Sequence, residues 1–166
     1  EMIVEEEFTQ TPSYRSYPDN ELLDKLILKL ENAERPVIII DSEARRSGAG
    51  EELCALSLKL SIPIATSTGT YALIPENHPN YIGVPGTYSR SCSNQIVSKA
   101  DLVVFIGSEL GGQITHFWKL PVPGTEVIQI GNNSSEFGRT YPNSLSILGD
   151  VKITIRELLN KIKNDK

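Results

Sequence analysis

The sequence predicts an α/β domain with a doubly wound, mainly parallel sheet that carries helices on both faces. Two observations support this fold class. Short β-branched runs without polar alternation recur along the chain, as in strands that are covered on both faces. Segments with apolar residues at helical spacing lie between those runs. The 166 residues, 39% hydrophobic and 22% charged, have an ordinary globular composition.

The first half of the chain alternates helix and strand. Asp19 has the character of an N-cap, and apolar residues then recur at helical spacing until Pro36 ends the pattern. Residues 37–40 form an apolar β-branched run, which predicts a strand inside the sheet. Residues 47–60 predict a second helix that opens at Ser-Gly-Ala, and residues 63–66 predict the next strand.

The second half repeats the alternation. A weaker helix is predicted at residues 89–98, and a last helix runs from Val151 to Ile162. Four further strands are predicted at residues 81–84, 102–106, 126–130 and 145–148. This order of elements is Rossmann-like.

The two ends of the chain differ from the middle. Residues 1–18 are acidic and without periodicity, which predicts a linker from a preceding domain. Residues 19–166 are predicted to form the folded domain, and residues 161–166 end it in a charged run. We therefore expect a piece of a longer protein, which should itself unfold cooperatively.

Composition excludes several classes of function. The net charge of −5 argues against nucleic acid or an anionic membrane as the main partner. No apolar run is long enough to span a bilayer and no apolar leader opens the chain, so we expect a cytoplasmic protein. Cys54 and Cys92 lack the spacing of a zinc or redox motif, and no metal site is predicted.

Ligands of doubly wound sheets bind where the strands end at their carboxyl edge. The candidate crevice is therefore defined by the residues that follow the strands, at positions 41–43, 66–68, 107–109 and 131–133. Two carboxylates, Asp41 and Glu43, stand where a diphosphate would need bare backbone N–H groups. In the alternative interpretation they pair with Arg45 and Arg46 and cap the helix at Ser47.

Other candidate residues have a structural interpretation beside the functional one. The glycine-rich exit at residues 107–112 brings backbone close to a ligand or simply forms a tight turn. His78 and His116 have no acid, nucleophile or metal partner nearby in the sequence, so packing is favoured over catalysis. The chain contains no hydrolase elbow, zinc-protease or P-loop motif.

Several segments occur together in an order that resembles the central domain of the acetolactate synthase and 2-oxo-acid decarboxylase family. They are ERPVIII (34–40), RSGA (46–49), IPIAT (62–66), IPENHP (74–79), YIG (81–83), ADLVVFIGS (100–108), VIQI (127–130), EFGR (136–139) and GD (149–150). Each segment is common, but the ordered set is specific.

The resemblance implies a DHS-like NAD/FAD-binding-type fold within an enzyme that uses thiamine diphosphate and Mg²⁺. In this family the cofactor lies between two other domains, one with an activating glutamate and one with a GDG…NN motif, and neither is present here. The central domain connects them and contributes to subunit packing. The resemblance therefore implies the missing N- and C-terminal domains as partners, a homo-oligomer, and a chain with no catalytic residues and no activity by itself.

In some members the central crevice holds FAD or ADP, and this sequence departs from their pattern. The glycine triplet after the first strand is here Asp41-Ser42-Glu43, and the acidic residue after the strand at 127–130 is here Gly131. No cofactor is therefore expected in this chain, and FAD or ADP is disfavoured. The resemblance assigns a vestigial nucleotide crevice to Thr66, Ser67, Gly83, Gly86, Gly107, Ser108, Gly131, Asn132 and Asp150.

Two alternatives stay open. The first is a nucleotide-binding module, which would carry FAD or ADP through purification. The second is a sirtuin-like NAD-dependent deacylase, whose fold is similar. Two widely separated cysteines cannot supply the four-cysteine zinc module of that class, which disfavours it.

Overall fold

The computed structural model describes residues 14–70, 72–89 and 91–164. Most of the predicted linker, residues 1–13, lies outside the described residues. The helices are α1 (Asn20–Asn32), α2 (Ser42–Ser47), α3 (Gly50–Leu60), α4 (Ser91–Ser98) and α5 (Val151–Asn164). The strands are β1 (Pro36–Ile40), β2 (Ile64–Thr66), β3 (Leu102–Ile106), β4 (Glu126–Gly131) and β5 (Leu145–Leu148).

The strands form one parallel sheet in the order β2-β1-β3-β4-β5. The chain first builds outward from β1 to β2, then returns to the other side of β1 with β3. The winding of the chain therefore reverses between β1 and β3. Doubly wound sheets bind ligands at the carboxyl ends of the strands at such a reversal. The predicted doubly wound α/β class is confirmed.

Alternate residues of each central strand face opposite layers of core. Ile38, Val104 and Ile128 pack with apolar residues of α1, α3 and α5. Val37 and Phe105 face the other layer, which includes Val97 of α4. Both faces are buried, which explains why these strands carry no polar alternation.

The second predicted helix is wrong at its start. Residues 42–47 form the separate helix α2, and Gly48 terminates it in the left-handed conformation, with φ of 68°. The Ser-Gly-Ala sequence is therefore the end of one helix and the lead into the next, because glycine at this position favours a helix C-terminus.

The strand predicted at residues 81–84 is also wrong. Tyr81 makes one isolated parallel bridge to Ile64. Gly83 has a φ of 86°, which an extended strand does not adopt, and Pro85 has no N–H to donate. The segment still runs along β2, since the Thr66 N–H donates to the Gly83 carbonyl.

Residues 14–18, which we call the N-terminal strap, pack against the start of α5. The Arg15 guanidinium donates to the Ser47 carbonyl and to the Asp150 carboxylate, both at 3.0 Å. The Asp150 N–H donates to the Ser16 carbonyl at 2.9 Å. A Cβ added to Gly149 would lie 3.2 Å from the Pro18 nitrogen. The strap is thus bonded to the domain that follows it.

One carboxylate joins α3 to α5. Glu52 accepts from Arg156 at 2.9 Å and lies 3.6 Å from the Lys152 ammonium. Partial burial raises the pKa of the Glu52 carboxyl, but the Arg156 hydrogen bond and the two positive charges outweigh it. The pKa therefore lies below its ordinary value, and the ionised carboxylate stabilises the fold.

We predict that Glu52→Gln lowers the free energy of unfolding by about 1 kcal/mol near neutral pH. Because the folded-state pKa is lowered, this contribution is full above the ordinary Glu pKa of about 4.3 and is lost as pH falls through the folded-state value. Urea unfolding across a pH series measures it. Glu51→Gln is the matched control, an exposed carboxylate one residue earlier in α3. An equal loss in both variants would contradict the prediction.

Candidate functional site

The candidate site is a polar crevice of about 300 Å³ at the carboxyl edge of the sheet. Asp41 and Ser42 line it where β1 ends, and residues 67–69 line it where β2 ends. Tyr88 and the loop after β3, including residues 111–114, form the rest of the wall. This location is the winding reversal expected from the topology.

Asp41 connects the two strand exits at the reversal. Its carboxylate accepts the Ser42 N–H at 2.7 Å, which caps α2, and the Ser108 hydroxyl at 3.1 Å. The Ser108 hydroxyl in turn accepts the Leu110 N–H at 3.1 Å. The predicted capping role is correct in kind, but the helix begins at Ser42 rather than Ser47.

The predicted pairing of these carboxylates with arginines is not seen. Arg45 donates to the Gly69 carbonyl at 2.8 Å. Among the described residues, no ion pair links Asp41 or Glu43 to Arg45 or Arg46. Asp41 is satisfied by an N–H and a hydroxyl instead.

Glu43 lies between two glycines. Its Oε2 accepts the Asn132 N–H at 2.9 Å. A Cβ on Gly131 would lie 2.7 Å from that oxygen, and a Cβ on Gly107 would lie 2.7 Å from the Cβ of Glu43. Gly107 also has a φ of 68°, which disfavours any other residue. Both glycines thus leave room for a side chain of this same chain.

The β2 exit divides into a buried and an accessible part. Thr66 is fully buried, and its hydroxyl hydrogen bonds with the Tyr81 hydroxyl at 2.8 Å. Ser67 follows it and lines the crevice, with its hydroxyl 3.0 Å from that of Thr70. Of the nine positions assigned by the resemblance, Ser67 is the one that lines this crevice in the structure.

The two glycines of the 83–86 segment serve different places. Gly83 lines a separate groove with Tyr81 and Cys92. Gly86 packs against the loop after β3, where an added Cβ would lie 1.9 Å from the Gln113 carbonyl oxygen. Asn94 of α4 brackets Gly86, since its side chain accepts the Gly86 N–H and donates to the Gly86 carbonyl.

Asp150 belongs to the start of α5 rather than to the crevice. Its carboxylate accepts the Ile153 N–H at 3.0 Å and pairs with Arg15 of the N-terminal strap. The structure therefore brings together Asp41, Ser67 and Ser108 near the reversal, and places Gly83 and Asp150 elsewhere.

The loop after β3 contains a left-handed turn that the sequence did not reveal. His116, Phe117 and Trp118 have φ values of 51°, 54° and 60°. Thr115 fixes the turn, because its hydroxyl donates to the Gly111 carbonyl and accepts the Trp118 N–H. The Phe117 and Trp118 rings lie edge to face at 6.5 Å, and both are 60% exposed.

His78 has the packing role that the sequence favoured. It is buried, its Nε2 lies 3.3 Å from the Cys54 carbonyl oxygen, and its Nδ1 accepts the Asn80 N–H. Tyr88 and Gln113 were missed as crevice residues. The Thr87 N–H, next to Tyr88, donates to the Gln113 carbonyl at 2.8 Å, and no local pattern in the sequence announces this contact between distant segments.

The described part of the chain offers neither a metal site nor a membrane-spanning helix. Within residues 14–70, 72–89 and 91–164, no group of three or more His, Cys, Asp or Glu side chains could hold a metal ion. No helix in those ranges is both long and apolar enough to cross a bilayer.

The family model for the thiamine pyrophosphate enzyme central domain matches residues 23–158. The chain therefore belongs to this family of central domains, as the ordered sequence segments predicted.

Two curated relatives carry enzyme names. The chain is 29% identical over 140 residues to a probable acetolactate synthase large subunit of Methanococcus aeolicus, covering 84% of this chain and 23% of the relative. It is 31% identical over 153 residues to a probable 2-ketoarginine decarboxylase of Pseudomonas aeruginosa, covering 91% and 26%. The chain thus spans about a quarter of the length of these relatives.

Two solved structures share the fold. One is a protein of Mycobacterium smegmatis assigned as a thiamin diphosphate-dependent enzyme, with a TM-score of 0.72, 28% identity, and coverage of 91% of this chain and 29% of that one. The other is benzoylformate decarboxylase from Polynucleobacter necessarius, with a TM-score of 0.70 and coverage of 96% and 30%. At 21% identity, the second shows the fold alone.

We predict that Gly86→Ala destabilises the domain by about 2 kcal/mol or more, because the residue has positive φ and an added Cβ would overlap the Gln113 carbonyl. Gly111→Ala is the control, a glycine of the loop against which Gly86 packs, since nothing lies within 4 Å of its added Cβ. Chemical denaturation of both variants measures the difference. Similar stabilities for the two would contradict the packing of the 83–86 segment on the loop.

Proposed function

We propose that this chain is the central structural domain of a larger thiamine diphosphate-dependent enzyme that acts on 2-oxo acids by decarboxylation or carboligation. The observation that carries the proposal is the match of residues 23–158 to the central-domain family. The names of the relatives support the reaction class, and the quarter share of their length supports a role within a larger protein.

The residues that the structure describes do not fit thiamine diphosphate or its Mg²⁺. The Asp150 carboxylate is engaged by Arg15 and the start of α5. Asn133 caps a short 3-10 turn at Ser134–Glu136 through the Ser135 N–H. We therefore assign the cofactor and its metal to the remainder of the enzyme, and the chain to domain connection and subunit packing.

The crevice also does not fit FAD or ADP. A diphosphate at the β1 exit would meet the Asp41 carboxylate, which lines the crevice. Two like unit charges about 4 Å apart repel by on the order of 4 kcal/mol at an effective dielectric constant of 20. That energy corresponds to about a thousandfold in affinity. The vestigial nucleotide crevice remains a proposal. The Asp41 charge supports its being vestigial, and Ser67 is the position of the nine that lines it.

Subunit packing is the second part of the proposed role. Phe117 and Trp118 are exposed side by side, and aromatic residues are enriched at protein interfaces. We propose that the enzyme is a homo-oligomer and that the separated domain self-associates weakly, most simply as a dimer.

We predict no turnover of pyruvate by this chain with added thiamine diphosphate and Mg²⁺, because positioning and electrostatics supply most of the rate and the chain does not position the cofactor. A coupled assay for acetolactate and acetaldehyde measures it, with heat-denatured chain as the baseline. The full-length enzyme that contains this chain is the positive control. Turnover by the chain above the baseline would overturn the structural assignment.

We predict that freshly purified protein carries neither flavin nor adenine nucleotide. The absorption spectrum of the protein and chromatography of the nucleotides released by acid measure this directly. The variant Asp41→Asn tests the stated cause, since removing this charge from the crevice wall should raise ADP affinity if repulsion limits it. A stoichiometric nucleotide on the unaltered chain would instead establish the nucleotide-binding module.

A further inference from the structure

We propose that Glu43 is an internal ligand. Its carboxylate occupies a subsite beside the Asn132 N–H at the end of β4. This subsite would otherwise bind a carboxylate or phosphate oxygen of a separate molecule. This subsite lies at the carboxyl edge of the sheet beside the crevice rather than in it, since Glu43 does not line the crevice. The subsite depends on how Glu43, Gly107, Gly131 and Asn132 fit together.

The backbone of Glu43 is held at the exit of β3. Its N–H donates to the Gly107 carbonyl at 3.2 Å, and Ala44, which follows, is fully buried. A Cβ on Gly107 would lie 2.7 Å from both the Ala44 nitrogen and the Glu43 Cβ. The first turn of α2 is therefore seated directly on the glycine, and the direction of the Glu43 side chain is set from there.

The carboxylate end is held at the exit of β4. Oε2 of Glu43 accepts the Asn132 N–H at 2.9 Å and lies 2.7 Å from the position that a Cβ of residue 131 would take. A backbone N–H that points to a carboxylate makes a charge-assisted hydrogen bond, which is stronger than a neutral one. An anion that enters from solution would have to replace Glu43 at the Asn132 N–H, and it would be repelled by the negative charge of the Glu43 carboxylate nearby.

Three features together define the subsite. It has a donor, the Asn132 N–H; it has space, left by Gly131; and it has an occupant, Glu43. Gly107, which follows β3, and Gly131, which ends β4, then serve an internal carboxylate rather than the approach of a nucleotide. Removing the Glu43 side chain should leave the donor and the space for a free carboxylate.

The first test is a double-mutant cycle between Glu43→Ala and Gly131→Ala. In the unaltered chain Gly131→Ala should lower Tm by about 3 °C, because its Cβ would push Oε2 aside and break the hydrogen bond from the Asn132 N–H, a loss of about 1 kcal/mol. In the Glu43→Ala background the same change should cost less than half as much. Gly111→Ala should have equal effects in both backgrounds, since its added Cβ touches nothing. Equal costs of Gly131→Ala in both backgrounds would overturn the proposal.

The second test follows the Asn132 amide signal of ¹⁵N-labelled protein during acetate titration at constant ionic strength. The signal should move with saturation in Glu43→Ala and stay still in the unaltered chain. Glu109→Ala, which removes a carboxylate of the neighbouring crevice wall, should behave as the unaltered chain does. An Asn132 signal that moves in all three proteins, or in none, would overturn the proposal.

Glu43→Gln separates occupation from charge and guards against misfolding of the alanine variant. The amide keeps a carbonyl oxygen for the Asn132 N–H, so this variant should resist acetate and stay folded. If Glu43→Ala folds only in acetate and not in an equal concentration of chloride, the free anion has replaced the side chain. If Glu43→Gln takes up acetate as Glu43→Ala does, the side chain does not occupy the subsite and the proposal fails.

Discussion

The in-register pairing of β1, β3 and β4 is the constraint on which the rest of the carboxyl edge depends. Ile40 pairs with Ile106, and Ile106 pairs with Ile130. Because Ile40, Ile106 and Ile130 lie at the same height along their strands, the segments that follow them leave the sheet side by side. Asp41 therefore reaches Ser108, and Glu43 reaches Asn132, although the members of these pairs are 67 and 89 residues apart in sequence.

The central strands and the helices that cover them could be predicted from the sequence, because their physical cause is local. Burial on both faces excludes polar residues from β1, β3 and β4, and that exclusion is visible as uninterrupted apolar runs. The first helix is equally visible, since Asp19 caps it and its apolar face repeats at helical spacing. These elements need no knowledge of distant residues.

The elements that were predicted wrongly depend on glycine conformation and on the sheet edge. Gly48 ends α2 because it adopts positive φ. Glycine also occurs at helix starts, so the sequence alone did not distinguish the two positions. Residues 81–83 run along β2, but positive φ at Gly83 interrupts the extended backbone. Sequence periodicity does not report the sign of φ, so both cases were outside its reach.

The candidate site was predicted only in outline. Topology alone located the crevice, and the change from a glycine triplet to Asp41-Ser42-Glu43 pointed to altered chemistry. The destination of each carboxylate depends on partners from other strands, which no local pattern encodes. A glycine at the end of a strand is consequently ambiguous in a sequence. It leaves room equally for a ligand and for a side chain of the same protein, because both need the space that a Cβ would fill.

The N-terminal strap has a consequence for how short the domain can be made. A version truncated to begin at residue 19 would keep the N-cap Asp19 and all of α1 but would lose Arg15 and Ser16. The Asp150 carboxylate would then lose its cation and the Asp150 N–H its acceptor, both at the first turn of α5. Proteolysis before residue 14 would leave these contacts intact, whereas cleavage after Ser16 would detach them. Residues without regular secondary structure of their own thus complete the hydrogen bonding at the start of α5.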